Sequence, residues 1–209
     1  MDAKGFAALL TRWAQVMEDN KEELIRLDGL CGDSDLGLTM SAGFAAAAAE
    51  ANASEEPDIG KLSYRAGKAM ASAVPSTMGT LMASGLMNAG KALRGRQELD
   101  AQGQADFFQA YYEGVRARGK AEPGDKTFLD GLKPALESME KALAQEQHLS
   151  PTAQDAARAA QQGYEATRGM LAKHGRMAIR GEASREYLDP GAAVAALLVG
   201  AWANQVTGG

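Results

Sequence analysis

Only nine of the 209 residues are β-branched aliphatics, six valines and three isoleucines. Such side chains are the ones that pack well on a pleated surface, so no large sheet is expected. Alanine supplies about a fifth of the chain, and Leu, Met, Glu, Lys, Gln and Arg are common; these residues lose least on entering a helix. The fold class expected is all-α. The length suits one domain or at most two small ones, and we take 1–209 as a single domain.

No period of 20–50 residues repeats, which sets solenoids aside. What recurs is an apolar helical stretch followed by Gly, Pro or Asp. Phe6, Leu9, Leu10, Trp13, Val16 and Met17 form one stripe, and this first helix is expected to continue through Leu24 and Leu27. Further helices are expected over 37–51, 58–73, 77–94 and 104–120. A sixth, capped at Pro123-Gly124-Asp125, runs to 145; a seventh, opened by Ser150-Pro151, runs to 173. The stretch 174–188 reads as a loop. Asp189-Pro190 caps an eighth helix to 206, and Thr207-Gly208-Gly209 reads as a frayed end. Eight helices without a sheet must bury their stripes on one another, and Met70, Met78, Met82 and Met87 read as adaptable core filler.

The formal net charge of −5 gives no global attraction to nucleic acid or anionic lipid. Apolar runs such as Ala45–Ala49 and Gly191–Ala203 are shorter than the ~20 residues of a membrane span. Thr11 and Arg12 interrupt the first apolar run, so no signal peptide is expected, and the protein reads as cytoplasmic. A lone cysteine, Cys31, precludes an internal disulfide and reads as a buried small apolar residue. His148 and His174 lie too far apart for the HExxH zinc motif and read as exposed polar residues.

Four punctuated stretches carry chemistry. In Asp28-Gly29-Leu30-Cys31-Gly32-Asp33-Ser34-Asp35, three aspartates fall within eight residues. Carboxylates that close repel one another unless a cation lies between them, and hard oxygens suit Mg²⁺ or Ca²⁺. The EF-hand pattern is missing, so the choice lies between a metal–phosphate site and a polar turn with an Asp cap. Pro75-Ser76-Thr77-Met78-Gly79-Thr80 sets hydroxyls at a helix start, either as a cap or facing an anion. The third stretch runs from Arg118-Gly119-Lys120 through a sharp turn to Asp125-Lys126-Thr127. The fourth is Asp189-Pro190-Gly191-Ala192, either a plain helix start or part of a site, with Gly175-Arg176 before it as a source of a cation. Loops of this kind gathered at one end of a helical barrel would hold Mg²⁺ and polyphosphate.

These residues carry a family resemblance. The chain resembles the L subunit of dihydroxyacetone kinase over residues 5–205, the nucleotide-binding partner in a two-part kinase. The GDxDxG core is Gly32-Asp33-Ser34-Asp35-Leu36-Gly37, preceded by Asp28; residues 118–127 repeat the family's RGKAEPGDKT, and Gly175-Arg176 and Asp189–Ala192 fall at matching places. The resemblance implies an antiparallel eight-helix barrel with ADP or ATP and two Mg²⁺ ions at one end. It implies that Asp28, Asp33 and Asp35 hold the Mg²⁺ ions that align the phosphates for transfer. Leu36, Gly37, Leu38 and Thr39 fall where the family wraps the phosphates. Ser76, Thr77, Met78 and Gly79 fall at its second phosphate loop, and Gly119, Phe128, Arg176, Asp189, Pro190 and Gly191 around the nucleoside. Three positions depart from the pattern. Leu36 replaces His or Thr, Thr39 replaces Asn, and Met78 replaces a serine donor, for which Ser76, Thr77 or Thr80 are substitutes.

The family's substrate is held covalently by a separate K subunit, so this chain is expected to phosphorylate nothing alone. In one branch of the family ATP exchanges freely; in the other, bound ADP is recharged by a phosphotransferase-system M subunit. A short ketose such as erythrulose is the alternative substrate, and a nucleotide-binding regulatory module without transfer is the alternative function.

Overall fold

The computed structural model describes residues 1–30 and 32–208, which leaves the expectation for Cys31 outside the described residues. Within them the protein is all-helical and has no strand; a lone antiparallel bridge joins Asp2 to Glu98. The helices are α1 (Ala3–Asp19), α2 (Lys21–Gly29), α3 (Leu36–Asn52), α4 (Ile59–Ala73), α5 (Thr77–Ala92), α6 (Ala101–Gly119), α7 (Phe128–Ala144), α8 (Leu149–Ala166) and α9 (Pro190–Thr207), with a 3₁₀ segment over Arg176–Glu186. No helix among the described residues is long and apolar enough to cross a membrane.

The expected first helix is two helices. Asn20 leaves helical geometry (φ −104°, ψ 11°), and α2 restarts with Glu22 and Glu23 in its first turn, where acidic groups favour the positive end of the dipole. The sixth helix starts later than expected. Its cap is Thr127, not Asp125, because Thr127 and Asp130 form a reciprocal capping box. The seventh begins at Leu149, with Ser150 and Pro151 inside its first turn, and stops at Ala166 rather than 173. Gly169 at φ 90° carries the chain out of the helix. The expected loop at 174–188 is largely 3₁₀ helix, broken at Gly181 (φ 55°).

The chain forms two compact units. One is Met1–Glu18 with Thr39–Gly119, the other Asp19–Leu38 with Lys120–Gly209. In the first, α4 packs on α5 and α5 on α6. Its core centres on Trp13, whose ring lies 5.7 Å from Phe44, 6.0 Å from Phe107, 6.2 Å from Phe108 and 6.1 Å from Tyr111. Most of these pairs meet edge to face, the favoured arrangement of the ring quadrupoles. Glycine sets the spacing of α4 and α5: a Cβ on Gly90 would lie 2.5 Å from the Gly60 carbonyl oxygen. Met70 and Met82 are core residues, while Met78 and Met87 are half-buried.

In the second unit α7, α8 and α9 pack against one another and α2 meets α9. α9 is apolar on nearly every side and buries Pro190, Val194, Leu198, Val199 and Trp202 among others, as a helix enclosed by its neighbours must. This unit carries the acidic stretch and the segments 118–127 (from Lys120 onward), 175–176 and 189–192.

Candidate functional site

Asp28 stands in the last turn of α2, and the chain reverses over 29–35 to start α3. The reversal is built by local geometry. Gly32 N–H donates to the Asp28 carbonyl (2.5 Å), and Ser34 takes a left-handed φ of 63°. The Asp28 carboxylate then accepts from the backbone N–H groups of Asp35 (3.1 Å) and Leu36 (3.4 Å), amides that begin α3 and have no partner inside the helix. Gly37 lets α3 start close to α2, since a Cβ there would strike the Lys21 carbonyl oxygen and lie 2.8 Å from Ile25 Cγ1.

The consequence is a carboxylate cluster. Asp28, Asp33 and Asp35 each present an oxygen, and these atoms all lie within 4.8 Å of one another. Partial burial, then the Asp33 and Asp28 charges, push the Asp35 carboxyl above its ordinary value, opposed by Arg176. The Arg176 guanidinium pairs with Asp33 at 2.6 Å. The donor set is all hard oxygen. Asp28 is half-buried, and Asp33 and Asp35 are exposed, so a bound Mg²⁺ would keep coordination positions for water or phosphate. The residues present therefore fit the ion that the resemblance implies.

The other expected site residues divide between the units. In the second unit, Leu36 is buried, Gly37 abuts α2 and Leu38 is exposed. Phe128 is buried at the start of α7, and a Cβ on Gly191 would lie 3.1 Å from its backbone nitrogen. Asp189 is the N-cap of α9 and accepts from Ala192 N–H at 2.7 Å, with Pro190 in the first turn. Burial pushes its carboxyl up to about 7. In the first unit, Thr39 is buried and Ser76 caps α5 by accepting from Gly79 N–H (3.0 Å). Thr77 is exposed, Met78 half-buried, Gly79 buried and Gly119 the last residue of α6. The helix-start readings thus hold for Ser76 and Asp189.

Three side chains do more than their sequence suggested. Asp125, read as a cap, accepts from Glu122 N–H (2.8 Å), pairs with Lys173 (2.7 Å) and meets His174 Nε2 (3.1 Å). The Lys173 hydrogen bond, then the Glu122 amide, hold its carboxyl down at about 2, helped by His174. His174 is therefore half-buried and engaged, whereas His148 is exposed as expected. Lys126, read as a turn lysine, is buried with its ammonium on main-chain carbonyls. No sequence signal separates such a lysine from a solvated one; the contacts come from segments more than 40 residues away.

The DAK2 domain model matches residues 30–204. The chain belongs to the DAK2 domain family. It is 36% identical over 185 residues to the "PEP-dependent dihydroxyacetone kinase, ADP-binding subunit DhaL" of Escherichia coli K12, covering 88% of this chain and 87% of that one. It is 33% identical over 207 residues to the L-erythrulose 1-kinase of Mycolicibacterium smegmatis, covering 98% of this chain and 36% of that enzyme. The dihydroxyacetone kinase of C. freundii, solved also in complex with AMP-PNP and Mg²⁺, superposes with a TM-score of 0.73 at 26% identity. That match takes in 95% of this DAK2 chain and 34% of the solved one. The DAK2 chain thus spans most of the length of the separate ADP-binding subunit and about a third of the longer kinases.

Proposed function

We propose that this chain is the nucleotide-binding, phosphoryl-donor subunit of a dihydroxyacetone or related short-ketose kinase. The observation that carries the reading is the gathering of Asp28, Asp33 and Asp35 in a chain similar to an ADP-binding kinase subunit. The three carboxylates would hold two Mg²⁺ ions, which neutralise the polyphosphate and align it for transfer. The chain's own contribution is positional. Asp28 anchors the start of α3 by its two backbone contacts, Asp33 and Asp35 complete the oxygen donor set, and Arg176 adds a cation beside it.

ADP or ATP would be received by the residues that the resemblance assigns. These are Leu36 to Thr39 and Ser76 to Gly79 for the phosphates, and Gly119, Phe128, Arg176 and Asp189 to Gly191 for the nucleoside. On this reading residues 1–209 act as one functional domain, a helical barrel of the family type, in the cytoplasm. Its substrate is held by a K-type partner, and a phosphotransferase-system M subunit is the partner for recharging ADP. Neither nucleic acid nor membrane takes part.

Thermal unfolding with ADP or ATP, each with and without Mg²⁺, tests the site. Ligand at about 100 times its dissociation constant adds ~2.7 kcal/mol, or ~5–10 °C for a chain of this size. The shift should need Mg²⁺ and vanish in Asp33→Ala; a shift that survives Asp33→Ala refutes the metal assignment. Transfer is tested by mixing the chain with a K-type subunit, ATP, Mg²⁺ and dihydroxyacetone. Product is expected from the mixture and none from the chain alone.

A specific feature favours a second reading, a nucleotide-binding regulator without transfer. The side chains of Leu36 and Met78 offer no hydrogen-bond donor to a phosphate. Nucleotide binding with no product in the complete mixture would select it.

A further inference from the structure

Among the described residues Lys126 is the one buried lysine or arginine, at 1% exposure. Its ammonium reaches four backbone carbonyls: Tyr187 at 2.5 Å, Thr167 and Ser184 at 2.8 Å, and Met170 at 3.4 Å. Burying an ammonium is costly unless its protons are satisfied, and here carbonyl dipoles enclose it.

The four carbonyls come from the two ends of one segment. Thr167 and Met170 open the strap 167–187; Ser184 and Tyr187 close it. Short-range bonds reinforce the closure. Gly169 N–H donates to Arg185 O (2.9 Å), Arg185 Nη1 to Gly169 O (2.6 Å) and Ala172 N–H to Ser184 Oγ (3.0 Å). A second tie joins the strap to the same turn, from Lys173 N–H to Asp125 O (3.1 Å) and from its ammonium to the Asp125 carboxylate (2.7 Å). The strap's own apolar hold is small: Ala172 and Met177 are buried, with Tyr187 against them. Polar closure therefore carries the segment, and Lys126 is its hub. The strap delivers Arg176, whose guanidinium pairs with Asp33 at 2.6 Å.

We infer that Lys126 is a positioning residue: by gathering both ends of the 167–187 strap onto one ammonium, it sets Arg176 beside the acidic cluster. The tether itself stands on this geometry; only its effect on Mg–nucleotide binding rests on the function proposed above.

Trypsin tests the tether. Cleavage after Arg176, Arg180 and Arg185 should be at least ~10-fold faster in Lys126→Met while circular dichroism is unchanged. In Lys126→Ala, propylammonium should restore protection and uncharged propan-1-ol should not. Unchanged cleavage in Lys126→Met overturns the tether, as does rescue by the alcohol. Should these variants fail to fold, hydrogen exchange in the unmodified chain decides. The amides of Gly169, Ala172 and Lys173 should exchange at one common slow rate, and independent rates overturn the inference.

The positioning role is read from a double-mutant cycle on Mg–ADP affinity. Arg176→Ala and Lys126→Met should each weaken binding about tenfold, the loss of one charge-assisted contact. The double variant should be no weaker than either, because both remove the same guanidinium from its place. Multiplying losses overturn the coupling. If the unmodified chain does not bind Mg–ADP, the proposed function fails, and cleavage and exchange still decide the tether.

Discussion

Gly37→Ala should destabilise the protein, although alanine is the better helix former. Gly37 lies in the first turn of α3, and replacing glycine within a helix gains at most ~1 kcal/mol. Against that gain stands a close approach. The new methyl group would strike the Lys21 carbonyl oxygen and lie 2.8 Å from Ile25 Cγ1. The first of these is backbone, so relief requires α3 to move off α2 rather than a side chain to turn. Overpacking of this kind costs ~1–3 kcal/mol. Set against the full ~1 kcal/mol gain, the net loss is up to ~2 kcal/mol, which lowers Tm by up to ~8 °C in a chain of this size.

The same movement carries Asp35 away from Asp28, so Mg²⁺ should stabilise the variant less than the parent. Gly200→Ala is the internal control. Gly200 is also helical, in α9, and nothing lies within 4 Å of where its Cβ would stand. Propensity acts alone there, and Tm should rise by ~2–4 °C. Thermal unfolding followed by circular dichroism, with and without Mg²⁺, measures all of this. If Gly37→Ala raises Tm as Gly200→Ala does, with its Mg²⁺ response intact, the account of how α2 and α3 form the cluster is wrong.

Two further predictions concern pH. Asp125 has its carboxyl held down to about 2 from 3.8, so its stabilisation is full above pH 3.8 and lost as pH falls toward 2. Asp125→Asn should unfold at lower temperature than the parent at pH 7, and the gap should narrow as pH falls from 4 through about 2; a gap unchanged between pH 4 and pH 2 rules out ionisation as the cause. Asp189 behaves oppositely. Burial lifts its carboxyl from 3.8 to about 7, so the unfolded chain releases a proton that the folded one keeps, and stability falls between those pH values. Asp189→Asn keeps an oxygen for the Ala192 N–H and should flatten that fall, measured by denaturant titration at pH 4 and pH 7. An unchanged slope assigns the fall to other groups.

Much of the fold was legible because helix signals are local. The scarcity of Val and Ile, the apolar stripe from Phe6 to Met17 and the Asp189-Pro190 start report chemistry confined to one turn of chain. The structure departs from these local signals where two of them compete. Asp125 and Thr127 are both good caps; Thr127 prevails because Asp130 sits where its carboxylate closes the box. At Asn20 the hydrophobic stripe continues from Met17 to Leu24 although the helix does not, since a stripe reports which face is buried and not whether the backbone is continuous. Of the candidate site, the three aspartates were legible from spacing, because the turn that gathers them spans only eight residues.

By itself, then, the sequence determined an all-helical chain, its main punctuation and the acidic turn, all of which depend on residues within a few positions of one another. Only the tertiary structure decided where the polar side chains spend their hydrogen bonds. It placed Lys126 among carbonyls 41 to 61 residues away, Asp125 on Lys173 and His174, and Arg176 on Asp33. A charged side chain on a turn carries the same local signature whether it faces water or the interior. Its partner is set by which distant backbone the packed helices bring within reach.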